Sequence, residues 1–574
     1  MMRFVTAVVL FLSCVFFAIA AQYNDDDADT LPPIIRSIHF QQHDVFDSKH
    51  SDWFFGAGFL NAFHTVTRPY IIDDELLLVE DDELDTARLL EIERNLRRTG
   101  LFSSVRVRTI PDLSMLVNKA TGKVQWPDSI DIEVETQDRF SLRPAILFGT
   151  GGGITNVGAK LEESNLFGTA TQVGVQGLYR TENSIGWEGY ARIAQRRLFR
   201  TEIGAELILQ ANQFRTDQFA QLYKAYRTMH TPWAFSLGAS NAFGRDFAYR
   251  GTQAPVLLPF HDRAIGGWIS QAYGQDDSDR LFMSAAFKLN SVNRTIPESR
   301  QAFDNTGYVL ISFSSLNQQF GRTAYLDGYE TEDIVEGGWG NATLGRVFSL
   351  GNGGQTMWYV GGEAERSWFV TDNMYLFGQV NGASGFGSYV IAQNADKQVT
   401  GSRALYTSLG VSGLAHWRPS SALVVTARAQ NQTVWNWSAF HQQILDLESG
   451  LRGYPANRLT GDNRFVSNAE VRWFPGWKWW IIGVSGVAFW DMGTVWNQGQ
   501  PLSSTQFHHA IGFGIRIHNL KASGADAIFR FDFAYSLDER KFTGIIFTTN
   551  QLFSAFGRHQ FKPPALYGTS VDVR

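Results

Sequence analysis

Between Ala527 and Ser536 the chain places Phe529, Phe531, Phe533 and Tyr535 on one face of an extended strand, and Arg530, Asp532 and Ser536 on the other. A soluble strand rarely sets four aromatics against an ionic face. A strand standing between lipid and a wet lumen does both. On that reading Asp532 faces water, where an amide would serve as well as a carboxylate. Asn468, Glu470 and Arg472 against Ala469, Val471 and Trp473 repeat the design, and 172–179 and 423–428 repeat it more weakly.

Composition agrees with a barrel and leaves it to the alternation to decide against a soluble sandwich or propeller. The chain has 44 Phe, 17 Trp and 54 Gly, yet its mean hydropathy is only −0.17. Past the first twenty residues no run approaches the ~20 apolar residues a spanning helix needs. Many aromatics and glycines in a polar average fit a transmembrane antiparallel β-barrel, expected over 139–556. Dividing roughly 410 residues by ~26 per strand and connection predicts about 16 strands. The net charge of −6, with both signs mixed along the chain, suggests no nucleic-acid surface.

Met1-Met2-Arg3, an apolar run and Ala18-Ile19-Ala20 make a secretory signal peptide over 1–20. The single cysteine, Cys14, lies inside it, and too little apolar chain precedes it for a lipoprotein signal. Thiolate catalysis, disulfides and Cys-based metal sites are therefore not expected in the mature chain. An acidic lead-in follows over 21–33.

Residues 34–138 then read as a small α+β domain. Ile34–Phe40 is a strand, Arg68–Leu78 a helix-like segment, and Asp85–Thr99 the clearest helix, with Leu89, Ile92 and Leu96 on one face. Asp85 is its expected N-cap and Gly100 its stop. Leu101–Arg108 and Ile130–Glu135 close the domain as strands.

The candidate site has two halves. Leu451-Arg452-Gly453-Tyr454, flanked by Gly450 and Pro455, is a tight loop carrying one arginine. Phe489-Trp490-Asp491-Met492-Gly493 sets a carboxylate in an apolar strand, with Phe489, Asp491 and Gly493 on one face. Such an Asp is expensive unless something pairs it, and Arg452 is the candidate partner. The alternative is a surface arginine and an Asp facing a wet lumen.

These stretches resemble a family. Asn95–Val105 and Val134–Ser141 are similar to the polypeptide-transport-associated (POTRA) domain and its crossing into a barrel. Asn165–Thr169 resembles the turn of that family's first hairpins. With Leu451–Tyr454 and Phe489–Gly493, the chain resembles the bacterial outer-membrane assembly and translocation superfamily, the surface-antigen family, which includes the barrel-assembly protein, two-partner secretion transporters, and organelle Sam and Toc channels. The resemblance implies a bacterial outer-membrane barrel with one POTRA-like periplasmic domain, capturing unfolded outer-membrane or secreted polypeptides by β-augmentation. It implies Arg452 pairing with Asp491 in the lumen, a seam that opens laterally, and outer-membrane lipid, periplasmic chaperones or accessory lipoproteins as partners. The alternatives are a passive channel or porin and a lipid-handling barrel of the same superfamily. Relatives end on an aromatic residue. Here a last strand near 542–553 precedes a tail, 557–574, which either hangs in the periplasm or shows that strand to be misplaced.

No enzyme is expected. No G-x-S-x-G elbow is present, and His508 and His509 would point to opposite faces of a strand. Gly149–Gly153 lacks nucleotide-binding spacing and reads as a kinked, weakly paired strand. No cofactor, catalytic residue or metal site is expected.

Overall fold

The computed structural model describes residues 33–45, 64–111, 127–227, 231–274, 279–324, 331–351, 355–394, 397–479, 482–519, 528–548 and 559–572. The signal peptide and nearly all of the acidic lead-in fall outside them. The chain divides into two compact units, 1–49 with 72–139, and 50–71 with 140–574.

In the first unit, β1 (Ile34–His43) lies parallel to β3 (Ser129–Asp138), which pairs antiparallel with β2 (Phe102–Ile110). Helix α2 (Thr86–Arg98) buries Leu89, Ile92 and Leu96, and the sheet buries Ile35, Val105, Ile130, Ile132 and Val134. Asp85 caps α2 through the Arg88 N–H at 3.3 Å, and Gly100 ends it at φ +72°. The expected helix over 68–78 shrinks to α1 (Pro69–Asp73). Asp73, Asp74 and Glu75 bring negative charge to its C-terminal end, where the helix dipole disfavours it.

On this sheet Asp131 accepts hydrogen bonds from Arg36 and Ser37, at 2.9 and 2.7 Å. Those bonds, Arg36 first, hold its carboxyl down at about 2, against the opposing effect of burial. A depressed folded pKa stabilises the fold above the unfolded value near ~4, and that contribution disappears as pH falls through about 2. Hydrogen-exchange protection of the β3 amides in the intact chain should therefore drop between those values. Asp131→Asn should flatten the drop, and an unchanged profile would refute the linkage.

The second unit is a closed barrel. Its staves begin with β4 (Leu142–Gly151), β5 (Ile154–Leu166), β6 (Thr171–Arg180), β7 (Gly186–Gln195), β8 (Gly204–Asn212) and β9 (Arg215–Lys224). Longer ones follow: β10 (Trp233–Ala248), β11 (Val256–Tyr273), β12 (Asp279–Arg294), β13 (Thr306–Ala324), β14 (Thr331–Ser349), β15 (Met357–Thr371), β16 (Met374–Asn394), β17 (Lys397–Ser420) and β18 (Leu423–Trp435). A small hairpin, β19 (Gln443–Leu445) with β20 (Leu459–Gly461), is inserted before β21 (Asn463–Trp473), and two-residue β22 (Lys478–Trp479) precedes β23 (Ile482–Trp496). The last staves are β24 (His508–Asn519), β25 (Ile528–Ser536) and β26 (Lys541–Thr548).

Among the described residues, and leaving out the hairpin and β22, the barrel has 20 strands, not the roughly 16 expected. The expected repeat was too long because many turns are tight. Asp372-Asn373 alone joins β15 to β16, and Ser421-Ala422 alone joins β17 to β18. Gly152 and Gly153 are such a turn, at φ +58° and +85°, rather than part of a kinked strand.

Side chains alternate as the period-2 reading requires. Along β12, Leu281, Met283, Phe287 and Leu289 are exposed outward while Phe282, Ser284 and Ala286 are buried. Along β25, Phe529 and Tyr535 are exposed, and Arg530, Asp532 and Ser536 are buried. Among the described residues no helix is long and apolar enough to cross a membrane.

Closure is uneven. The β25–β26 ladder spans Arg530↔Thr548 to Ser536↔Lys541, whereas among the described residues β26 meets β4 at the single pair Phe547↔Thr150. The rings of Phe148 and Phe547 touch across that seam at 5.2 Å. Beyond β26 the tail does not hang free. Residues 559–572 run as irregular chain along the inward side chains of the barrel.

Candidate functional site

The residues from Leu445 to Arg458 fold inward between β18 and β21. Asp446 shapes the turn: its backbone oxygen accepts from the Leu451 N–H at 2.7 Å, and its carboxylate accepts from the N–H groups of Glu448 and Asn457. Leu451 and Tyr454 pack with Leu445, Val466 and Ala510. Gly453 sits at φ +84°, a conformation that a side chain would strain. The Tyr454 hydroxyl donates to the His509 carbonyl at 2.9 Å and reaches Asp538 at 2.5 Å.

This loop delivers Arg452 into the barrel wall, where it is fully buried. Its Nε and Nη2 form a fork onto the two carboxylate oxygens of Asp491, at 2.7 and 2.8 Å. The backbone N–H of Arg452 donates to the same carboxylate at 3.2 Å. Its guanidinium also lies over the Phe489 ring, 3.5 Å from the centroid. The two halves read from the sequence therefore meet, at the bidentate geometry that suits arginine and not lysine. Gly493 completes the same face of β23. A Cβ there would approach Leu445 Cδ2 to 2.9 Å, so glycine lets the loop seat closely.

The site is larger than the expected pair. Arg452 Nη1 also reaches Glu470 at 2.8 Å and Asp532 at 3.3 Å. Glu470 pairs with Arg472 at 2.9 Å, and Asp532 with Arg516 at 2.5 Å and Arg530 at 3.2 Å. Asn468 donates to Asp491 at 2.7 Å and to the Gly450 carbonyl at 2.6 Å, tying loop to strand. Four guanidiniums and three carboxylates, from the loop and from β21, β23, β24 and β25, are thus buried together. Asp532, expected to face water, is fully buried at its centre.

Strand alternation had already set Glu470, Arg472, Arg530 and Asp532 on inward faces. What it could not supply was their convergence on one arginine. Arg516 was missed, although Ile515 and Ile517 flank it as outward neighbours would. Gly514 was missed too, and any Cβ there would collide with the Asp532 carboxylate.

With this geometry in hand, comparison with known proteins is informative at the family level. The sequence model of the Omp85 superfamily domain matches residues 422–552. No curated protein matches the chain in sequence. Among solved structures, BamA from Haemophilus ducreyi lacking POTRA domains 1–3 is similar at 12% identity and TM-score 0.41, covering 92% of this chain and 87% of that one. CdiB from Acinetobacter baumannii is similar at 10% identity and TM-score 0.41, covering 90% and 73%. The FrpB iron transporter from Neisseria meningitidis stands at 8% identity and TM-score 0.40, covering 80% and 85%. Every residue of the Arg452 cluster falls within 422–552, so the cluster lies wholly inside the stretch that matches the Omp85 superfamily domain.

Proposed function

We propose that the chain is an outer-membrane barrel that assembles or translocates polypeptides, and that its N-terminal unit is a POTRA-like domain offering a sheet edge to an extended client. The observation that carries this reading is the inward loop locked by Arg452 within the Omp85 match. A passive pore has no need for a seven-member buried ionic cluster, whose desolvation costs several kcal/mol per ion before pairing offsets it.

The β-α-α-β-β order and the β1-β3-β2 sheet support the domain assignment. The first half of β1 is covered by residues 81–84, so the second half of β1 and β2 are the edges for an added strand, with Val105 and Val107 of β2 already bonded by Arg97 and Glu93 of α2. Clients captured there pass to the β4–β26 seam, the least paired junction of the barrel among the described residues.

Photo-crosslinking residues at Ser104 on β2 and Thr150 at the seam test this. Both positions should give adducts with newly exported, unfolded barrel or secreted chains, and depletion of the protein should leave those clients unprocessed. Absence of adducts at both sites, with normal client levels on depletion, would overturn the proposal.

A further inference from the structure

The C-terminal tail occupies the inside of the barrel through contacts of two kinds. The first recognise side chains. Phe561 sits in an aromatic box, its ring centroid 5.1 Å from Tyr226, 5.2 Å from Trp268, 5.1 Å from Phe282 and 5.9 Å from Trp339. Lys562 pairs with Glu363 and, at 2.7 Å, with Glu365, two carboxylates on the inward face of β15. The His559 ring bridges Ser367 at 2.7 Å and Glu365 at 2.9 Å, and stacks on Phe377.

The second kind recognise backbone, through side chains of the wall and at the inserted β19–β20 hairpin. The Tyr567 N–H donates to the Tyr359 hydroxyl at 2.7 Å, and the Ser408 hydroxyl donates to the Tyr567 carbonyl at 3.3 Å. Gln443 donates to the Ser570 carbonyl and Gln442 to the Asp572 carbonyl, at 3.1 and 2.9 Å. Contacts of this kind do not depend on what side chains the bound segment carries.

The tail is not a stave. Pro563 and Pro564 lack N–H groups, residues 559–572 contain no strand, and the barrel closes between β26 and β4 without them. A segment that adds no ladder bonds, yet is read along its length, behaves as a bound ligand joined to its receptor.

We infer that the inner wall from β11 to β21 is a binding track for an extended polypeptide with an aromatic residue followed by a basic one, and that the tail is its resident, displaceable occupant. The track rests on the polypeptide-handling reading only for the identity of what displaces the tail. The wall would then hold a client segment in transit, and the tail would keep the lumen closed between clients.

The probe is a synthetic peptide of residues 559–572, fluorescently labelled, against the purified barrel in detergent and in planar bilayers. A barrel truncated after residue 558 should bind it at least ten times more tightly than the full chain does, and should conduct several-fold more until the peptide is added. Lys562→Glu in the peptide, or Glu363→Gln with Glu365→Gln in the barrel, should each weaken binding at least ten-fold. Lys562→Glu in the full chain should raise conductance without truncation. Bridging Gln432→Cys to Ser570→Cys with a short bismaleimide, in a Cys14→Ser background, should suppress that rise. The inference fails if the natively migrating truncated barrel neither binds the peptide nor conducts more. Should truncation prevent folding, it fails if Lys562→Glu leaves full-chain conductance unchanged. Either failure would leave the adducts expected at Ser104 and Thr150 untouched, so the two readings are separable.

Discussion

Arg452→Ala and Asp491→Ala are each expected to destabilise the barrel by about 3–5 kcal/mol, because each strands a buried charge built to be paired. The double variant should lose clearly less than the sum, since the second deletion removes a charge that the first had left alone. Arg452→Lys should recover little, because an ammonium cannot span both Asp491 oxygens while also reaching Glu470. Urea unfolding in detergent, followed by heat-modifiable migration, supplies the double-mutant cycle. Strict additivity would show that the two groups are energetically independent despite their contact. Photo-adduct yield at Thr150, measured on the same variants, separates a brace that merely holds the barrel from one that serves clients.

The second large effect sets neighbours against each other. Asp532→Asn should cost about as much as losing Asp491, because it leaves the guanidiniums of Arg452, Arg516 and Arg530 gathered around a neutral amide. Adding Arg516→Met should restore part of the loss by removing an uncompensated cation. Phe531→Arg, one residue earlier on the outward face, should fail differently. A charge at mid-bilayer costs ~2–4 kcal/mol and hinders insertion itself. Its barrel should appear in lower yield, and Arg516→Met should not help. Wild-type stability in Asp532→Asn would mean that water reaches the carboxylate after all.

How much of this was legible in the sequence depends on how local each signal is. The alternation of Phe529, Phe531 and Tyr535 against Arg530 and Asp532 spans a few residues, so the face assignment could be read directly. Asp85 as a cap and Gly100 as a stop are equally local. The pairing of Arg452 with Asp491 needed a loop shape and an apolar strand with one carboxylate, and both were visible. The number of staves was not, because tight turns such as Asp372-Asn373 carry little sequence signature and long strands merge with them. The inclusion of Asp532 in the cluster was hidden by the assumption that an inward face is wet, since nothing near it announces an arginine arriving from 80 residues earlier. The tail was the least legible. Lys562-Pro563-Pro564 carries no strand pattern and sits in what reads only as a tail, and the carboxylates that receive Lys562 lie about two hundred residues before it.

The order in which the cluster is made adds a temporal meaning to its geometry. Arg452 precedes Glu470, Asp491 and Asp532 in the chain, and the last of these stands on β25, the penultimate stave. A nascent barrel that has formed only through β21 presents an arginine with one carboxylate of the three in place. The fork onto Asp491 forms only when β23 is in position, and the contact to Asp532 only when β25 is. A chain that ends before β25 would leave Arg452 with Glu470 and Asp491 but without Asp532, and would leave Arg516 without its carboxylate, so the cluster is complete only in a finished barrel.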